Sequence, residues 1–561
     1  MKIFLQTMVR LRISIILFSI VFISFTSSAQ KNDNDFEISK NLEIFTTLYK
    51  QLHLNYVDPI NSGDLMKKGI DAMLEDLDPY TVYIPESEIE DYKLMTTGQY
   101  GGVGALIHQN GSDVIISEPY EGFPAFKAGL IPGDRILEIN KKPTKGKSVS
   151  DISSILKGQP GTNLTLLIDR DGEAKPFEKT LTREEIKIDN IPFYGAVSND
   201  VGYIKLNGFT QNAGNEVREA LIKLKEKNNI KFIILDLRGN GGGLLQEAVN
   251  IVNIFTDKGQ LVVSTKGKVE ERNYSHKTSN AATDLTIPLA ILVDRNSASA
   301  SEIVSGAIQD LDRGIIIGQK TYGKGLVQNI FPISYNSQVK ITIAKYYIPS
   351  GRCIQAIDYT HRNEDGSAGK IADSLKAAFK TKNGRVVYDG GGIEPDITMK
   401  PEVLSNITLS LISKYLIFDY ANKYRKTHTS ISAAKDFTIT DSIYADFTKF
   451  LSGKDYDYVT KSEKNLKELK DIAVNEKYFD AIKNEYEALK DKLIHDKTDD
   501  LKKNSKEIKD LLKAEIVNRY YFQKGRIEAS LSDDPEIAKA ISIFNDQSQY
   551  KAILTTTTSK K

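Results

Sequence analysis

Residues 231–244 read Lys231-Phe232-Ile233-Ile234-Leu235-Asp236-Leu237-Arg238-Gly239-Asn240-Gly241-Gly242-Gly243-Leu244. The apolar run predicts a buried strand, and a helix is expected from about Leu244. Between them the glycines permit positive φ and let backbone N–H groups turn toward an anion. A dinucleotide fingerprint fails, because the sixth position of Gly-x-Gly-x-x-Gly is Leu244. An oxyanion or carboxylate cradle and a tight turn needed only for packing both stay open.

The same texture extends outward. Strands are expected at Leu289–Asp294, Ile315–Gly318 and Val339–Tyr347, alternating with amphipathic helices, so residues 186–401 form an α/β core. Two further turns carry chemistry. After the strand from Leu289 comes Asp294-Arg-Asn-Ser297-Ala-Ser299-Ala300-Ser301-Glu302 and a helix. A serine there can meet the positive end of the helix dipole, or Ser299 and Glu302 can simply close a capping box. After Gly318 comes Gln-Lys320-Thr-Tyr-Gly323-Lys324-Gly325-Leu-Val-Gln328. It nearly matches a phosphate loop, but Gly325 stands where a magnesium-binding Ser or Thr belongs. A lysine between glycines can instead be desolvated, and its neutral amine can act as a general base.

Upstream, residues 30–97 read as helical, with Leu42, Phe45, Leu48, Leu52, Leu65, Ile70, Met73 and Leu77 in helical spacing until Asp78-Pro79-Tyr80-Thr81 interrupts it. Residues 98–185 change to short strands and turns, a compact α+β module with a short helix at Ala125–Leu130 and another near 148–157. Downstream, 402–561 is rich in Lys, Glu, Asp, Leu and Tyr. There Phe479, Ile482, Tyr486, Leu489 and Leu493 lie on one helix face, and the charge is most simply a solvated helical surface. Residues 1–29 carry Lys2, Arg10 and Arg12, an apolar run Ile13–Phe25, and Ser27-Ser28-Ala29. That is a signal peptide cleaved after Ala29, and the run is short for a membrane span.

Composition narrows the function. The 561 residues hold 75 basic and 74 acidic side chains, a balance that gives no reason to expect a nucleic-acid partner. The single cysteine, Cys353, excludes an intramolecular disulfide framework and a multi-cysteine metal site, and reads as an inert core position. The six histidines are scattered, which argues against a zinc hydrolase, and none lies near a serine-rich turn. A Ser–Lys pair supplies nucleophile and base without one. Removing 1–29 leaves 72 basic and 74 acidic residues in an exported chain, where nucleotide-coupled functions lose their supply.

The order of these motifs resembles the carboxyl-terminal processing (tail-specific) serine proteases. The likeness runs from about 45 to 400: Asp78-Pro79-Tyr80-Thr81, a PDZ-like module, Asp236-Leu-Arg-Gly-Asn-Gly-Gly, Ser297-Ala-Ser-Ala-Ser-Glu302 and Gly323-Lys-Gly-Leu-Val-Gln328. It implies a crotonase-like α/β protease core with an inserted PDZ-like module, flanked by helical N- and C-terminal regions, and no metal or cofactor. Ser299 would be the nucleophile, Lys324 the base and Gln328 its orienting partner. Oxyanion donors are expected at Ala300 and at Gly241 or Gly242. If Gln328 sits on a helical turn, it shares a face with Lys324.

In the PDZ-like module the loop Tyr100-Gly101-Gly102-Val103-Gly104 would capture a terminal carboxylate, with Leu106, Ile107 and Leu130 as pocket walls. The implied partners are polypeptides with free, apolar C-termini, and an adaptor protein is conceivable in such a family. Arg135 could couple the module to catalysis, with a surface charge as the simpler reading; Asp236 and Glu302 read as structural carboxylates. The rival functions are a silent PDZ scaffold, which has no need of Ser299, Lys324 and Gln328 together, and an acyl-CoA enzyme on a crotonase core, which the export signal opposes. The expected place of action is the periplasm of a Gram-negative host, with membrane attachment only through an uncleaved signal segment.

Overall fold

The computed structural model describes residues 35–493 and 497–555, so the signal-peptide reading lies outside it. The chain divides into a unit ending at Pro79 and a second running from Tyr80 onward. In the first, a helix over 35–55 precedes the helix Ser62–Glu75. Asn61 caps the latter: its side-chain oxygen accepts the N–H groups of Gly63 and Asp64. The expected apolar positions Leu42, Phe45 and Leu48 are exposed.

The second unit opens with a departure from the helical reading. Val82–Ile84 is a strand, paired antiparallel with residues 338–340, and helix resumes only at Ile89–Thr97. Pro79 and Pro85 lack the N–H that a continuous helix requires, and Val82-Tyr83-Ile84 is a branched and aromatic triplet suited to a sheet.

The core is a six-stranded sheet in the order Phe193–Ala196, Val201–Lys205, Phe232–Asp236, Leu289–Val293, Ile315–Gly318, Ile397–Thr398. Its first pair is antiparallel and the remaining pairs are parallel. The strand period of two sorts the side chains cleanly. Ile233, Leu235, Leu289, Ile291 and Val293 pack with the helices Ala213–Asn228, Leu245–Phe255 and Ala300–Asp310. Tyr203, Ile234, Ala290, Leu292 and Ile317 form the opposite face. That face is covered by the chain's own C-terminal helices, through Ile537, Ala540, Ile543, Phe544 and Tyr550. Phe544 stacks on Phe232 with centroids 4.9 Å apart, and truncating so buried a ring costs about 3–5 kcal/mol.

A second sheet is built around the long strand Gln338–Tyr347, which pairs with Val82–Ile84, Leu326–Pro332 and Leu261–Gly267. The α+β module is a sheet in the order Ala105–Asn110, Asp113–Pro119, Arg135–Ile139, Asn163–Asp169, Phe177–Thr182, with the helix Val149–Leu156 against it. Its two ends meet as antiparallel strands, Gln99–Gly102 with Glu184–Lys187. The remaining C-terminal helices have their own core, centred on Leu411, Tyr420, Phe447, Ile508, Leu512 and Ile516.

Candidate active site

The glycine loop and the serine turn are two parallel strand-to-helix connections lying side by side, and buried polar groups bind them together. Asn240, fully buried, donates to the Leu206 carbonyl at 2.8 Å and accepts the Gly242 N–H at 2.9 Å. Its own carbonyl accepts the Ala298 N–H at 3.1 Å and the Ser301 hydroxyl at 2.8 Å. Ser297 donates to the Leu237 carbonyl at 2.8 Å. The outer serines of the Ser-Ala-Ser-Ala-Ser run are thus buried staples, while Ser299 between them is half-buried.

Ser299 stands immediately before the helix Ala300–Asp310 with φ 55° and ψ −112°. An ordinary N-cap serine has extended backbone; this conformation costs a non-glycine residue about 1–3 kcal/mol and persists only where the surroundings enforce it. Glu302, at the third helical position, answers Ser299 as in a capping box by accepting its N–H at 2.9 Å. The Ser299 carbonyl is held by the buried Tyr346 hydroxyl at 3.2 Å.

Glu302 also reaches the lysine loop. Its carboxylate accepts the Thr321 hydroxyl at 2.6 Å and the N–H groups of Gly323 and Lys324 at 2.7 and 2.9 Å. Burial pushes its pKa up, and the four donors oppose that push. The sequence reading of Glu302 as a helix cap saw one of these four bonds. Gly323, at φ 88°, would place a Cβ 2.4 Å from Ala356 Cβ, so this loop closes only with glycine there.

Gln328 lies on a strand, not on a helical turn, and its side chain donates to Thr342 Oγ1 at 3.2 Å. A bulge separates Val327 from Gln328, and the Thr342 N–H donates to Thr81 Oγ1 at 3.1 Å. The sequence reading gave Tyr80 no role of its own. Its ring lies under the Lys324 side-chain nitrogen, with Nζ 4.2 Å from the centroid.

The expected oxyanion donors differ from one another. The Gly242 N–H is committed to Asn240, and Gly242 has φ 101°, with space for a Cβ closed by Ala298 O at 2.7 Å and Ala300 N at 2.9 Å. The Gly241 and Ala300 N–H groups donate to no group among the described residues. Gly241 is exposed with nothing within 4 Å of a Cβ position.

In the module, the Gly101 N–H is taken by the Glu90 carboxylate at 2.9 Å, and Gly102 lies in the strand pairing. A small hollow of about 20 Å³ lies beyond them, lined by Tyr100, Val103, Ala105, Ile107, Ser153, Leu156 and Lys157. Leu106 is not part of it: strand alternation turns Ala105 and Ile107 one way and leaves Leu106 exposed on the other side. Leu130 is a core residue of the module.

Arg135 pairs with Asp169 inside the module. Asp236 accepts the Tyr203 hydroxyl at 2.6 Å and pairs with Arg238 and Lys205. Burial alone would raise its pKa; the two cations and the hydrogen bonds outweigh burial and hold it at about 2. Burial also pushes the Cys353 thiol up, as befits an unreactive position.

A strained serine at a strand-to-helix turn and a lysine loop are thus tied to one buried carboxylate. The chain belongs to peptidase family S41. That family's model matches residues 200–362, a PDZ domain model matches 115–170, and one described as the probable PDZ-protease C-terminal helical domain matches 407–544. A carboxy-terminal-processing protease of Bartonella bacilliformis is 34% identical over 333 residues, 58% of this chain and 76% of that protein. A probable CtpA-like serine protease of Staphylococcus aureus is 35% identical over 317 residues, 56% of this chain and 62% of the other. The solved photosystem II D1 C-terminal processing protease shares 27% identity over 64% of this chain and 87% of its own, at a TM-score of 0.35, too low to carry an argument. The molecule is therefore a serine-type peptidase core joined to a PDZ domain and a helical C-terminal domain.

Proposed function

We propose that this chain is an exported endopeptidase that holds polypeptide tails by their free, apolar C-termini in the PDZ domain and hydrolyses peptide bonds near those ends. Ser299 is the nucleophile, Lys324 the general base and Gln328 the residue that orients it, on a core of crotonase-like type. The neutral Lys324 amine takes the Ser299 proton as Oγ bonds to the scissile carbonyl carbon. The Ala300 and Gly241 N–H groups hold the oxyanion, donors worth about 3–4 kcal/mol each in a site closed to water. The Lys324 ammonium gives its proton to the leaving amine as the C–N bond breaks. Water then attacks the acyl-enzyme, with Lys324 taking its proton and returning it to Ser299.

The observation that carries this reading is the joint hold of Glu302 on the Ser299 and Lys324 amides, beside a strained serine with two open N–H groups. The hollow lined by Val103, Ala105 and Ile107, at the end of the glycine loop, supports capture of an apolar tail residue. Residues 1–29 act as a signal peptide removed after Ala29, and the substrates are envelope proteins met in the periplasm of a Gram-negative host.

The test incubates wild type, Ser299→Ala and Lys324→Ala with an unstructured substrate ending in an apolar residue, and with the same substrate amidated at its C-terminus. Fragments are read by mass spectrometry. Cleavage by wild type alone, slower on the amidated tail, is the expected result. Equal cleavage by all three proteins overturns the dyad.

A further inference from the structure

The Asp78-Pro79-Tyr80-Thr81 stretch that interrupts the N-terminal helical pattern carries a tyrosine that touches the base. Tyr80 presents its ring to Lys324 Nζ at 4.2 Å from the centroid. The ring is itself fixed: its hydroxyl donates to the Tyr322 hydroxyl at 3.3 Å, and Tyr359 meets it edge-on with centroids 6.2 Å apart. Tyr322 immediately precedes Gly323-Lys324, and its N–H is held by the Ser297 carbonyl at 3.1 Å. The lysine loop and the ring beneath its Nζ are therefore anchored to the same serine turn.

We propose that Tyr80 is the electrostatic partner of the general base: its π face stabilises the ammonium that forms when Lys324 accepts the Ser299 proton, and thereby sets the basicity of the amine. The inference rests on the Ser299–Lys324 reading above. A ring face attracts an ammonium and not a neutral amine, because the attraction is between a positive charge and the ring quadrupole. The contact therefore strengthens as the proton moves from Ser299 Oγ to Nζ and weakens as that proton passes to the leaving amine nitrogen. Interactions that are stronger in the charged transition state than in the ground state accelerate the step. The titratable groups near the pair include Tyr322 and Tyr359 around the ring and Glu302, which holds the Lys324 backbone N–H. A filler role for Tyr80 would be met by any apolar side chain of similar size; an electrostatic role requires the π face.

The experiment compares full-length wild type, Tyr80→Phe and Tyr80→Leu, each also carrying Ser299→Ala for a second, activity-independent measurement. Competitive acetylation of Lys324, read by mass spectrometry across pH, gives the midpoint at which its amine becomes reactive. Tyr80→Phe is expected to keep both the midpoint and kcat within about twofold. Tyr80→Leu is expected to move the midpoint down by about half a unit to one and a half units and to lower the plateau kcat about 3- to 30-fold, with KM little changed. The acid limb of the kcat profile moves down with the midpoint. Phenylalanines of increasing ring fluorination at position 80 keep the shape while weakening the π face, so they cover the case in which the leucine variant does not fold; midpoint and kcat should fall progressively along the series.

An unmoved midpoint along that series, or a phenylalanine variant as impaired as the leucine one, overturns the proposal. Failure of the dyad reading is separable. Lys324→Ala would then retain cleavage, while the labelling midpoint still reports whether the ring acts on the amine.

Discussion

The backbone amides of Ser299 and Lys324 donate to one and the same oxygen, Oε2 of Glu302, each at 2.9 Å. The other oxygen takes the Thr321 hydroxyl and the Gly323 N–H. All four partners donate to it, three of them backbone N–H groups that cannot accept, so the site is matched to a carboxylate. One buried side chain thus fixes the separation of two turns that belong to different strand–loop units.

Glutamine at position 302 keeps the shape but turns N–H donors toward amides that themselves donate. Glu302→Gln is therefore expected to lower kcat by about 100-fold or more and to cost about 1–3 kcal/mol in stability, the cost of buried donors left without an acceptor. Steady-state cleavage and urea unfolding measure the two effects. A glutamine variant with wild-type kcat would falsify the idea that this carboxylate sets the geometry of the turns.

The three serines of the turn should separate stability from activity. Ser297 and Ser301 are buried and bonded to the glycine loop, so alanine at either is expected to destabilise by about 1–3 kcal/mol. Ser299→Ala should abolish cleavage at little cost to the fold. Ser299→Gly should be equally inactive and should melt higher than Ser299→Ala, because glycine occupies φ 55° without the Cβ penalty. Thermal melts of the four variants decide it, and an alanine variant as stable as the glycine one would remove strain from the account.

The parts legible in the sequence were those set by local pattern. Apolar runs such as Phe232–Leu235 and Leu289–Val293 marked buried strands because a strand covered on both faces has no need to alternate. The serine, the lysine and the glycine loop stood out because each sits at a strand end, where turn chemistry is visible in single residues. Three features were not legible, and each depends on partners distant in the chain. Val82–Ile84 is a strand only because residues 338–340 offer it an edge. Glu302 looked like a cap because its nearest bond is to Ser299, while its other three partners are in another loop. The spacing of Gln328 from Lys324 left a helical turn open, and only pairing with Gln338–Tyr347 makes it a strand residue.

The two glycines of the loop should respond in opposite ways to alanine. Gly242→Ala drives a Cβ to within 2.9 Å of Ser299 Cβ at φ 101°, so loss of activity and of stability is expected together. Gly241→Ala has open space and should leave both nearly unchanged. Gly241→Pro removes the N–H and is expected to lower kcat about 100- to 1,000-fold with KM much less affected, as for loss of one oxyanion donor. Full activity in the proline variant would assign the oxyanion to other groups.

In the PDZ domain, neighbouring residues on one strand should behave differently. Ile107 lines the hollow beside Val103, whereas Leu106 is exposed on the far side. Ile107→Ala is expected to weaken binding of a labelled peptide with an apolar C-terminus by about 5- to 10-fold, the worth of the apolar area lost. Leu106→Ala should leave the affinity unchanged. Fluorescence anisotropy on the Ser299→Ala background reads both without cleavage, and equal losses at the two positions would place the tail elsewhere.

Arg238 joins the protease sheet to the C-terminal domain. It pairs with Asp236 at the end of its strand and with Asp534 and Glu536 at the start of the helix that covers the sheet's second face. Asp236 has its pKa held at about 2 against an ordinary 3.8. A carboxyl depressed on folding contributes stability that is full above its unfolded pKa and is lost as pH falls through the folded one. The contribution here is about 2 kcal/mol, present above about pH 4 and gone near pH 2. Arg238→Met breaks a buried pair and leaves the Asp236 carboxylate with Lys205 and the Tyr203 hydroxyl alone, which costs up to about 3–5 kcal/mol near neutral pH. Protonation of Asp236 then relieves the fault instead of creating one. The stability difference between wild type and Arg238→Met, measured by urea unfolding from pH 7 to pH 3, should therefore narrow as pH falls. A difference that stays constant across that range would mean that Arg238 acts by packing and not through the Asp236 charge.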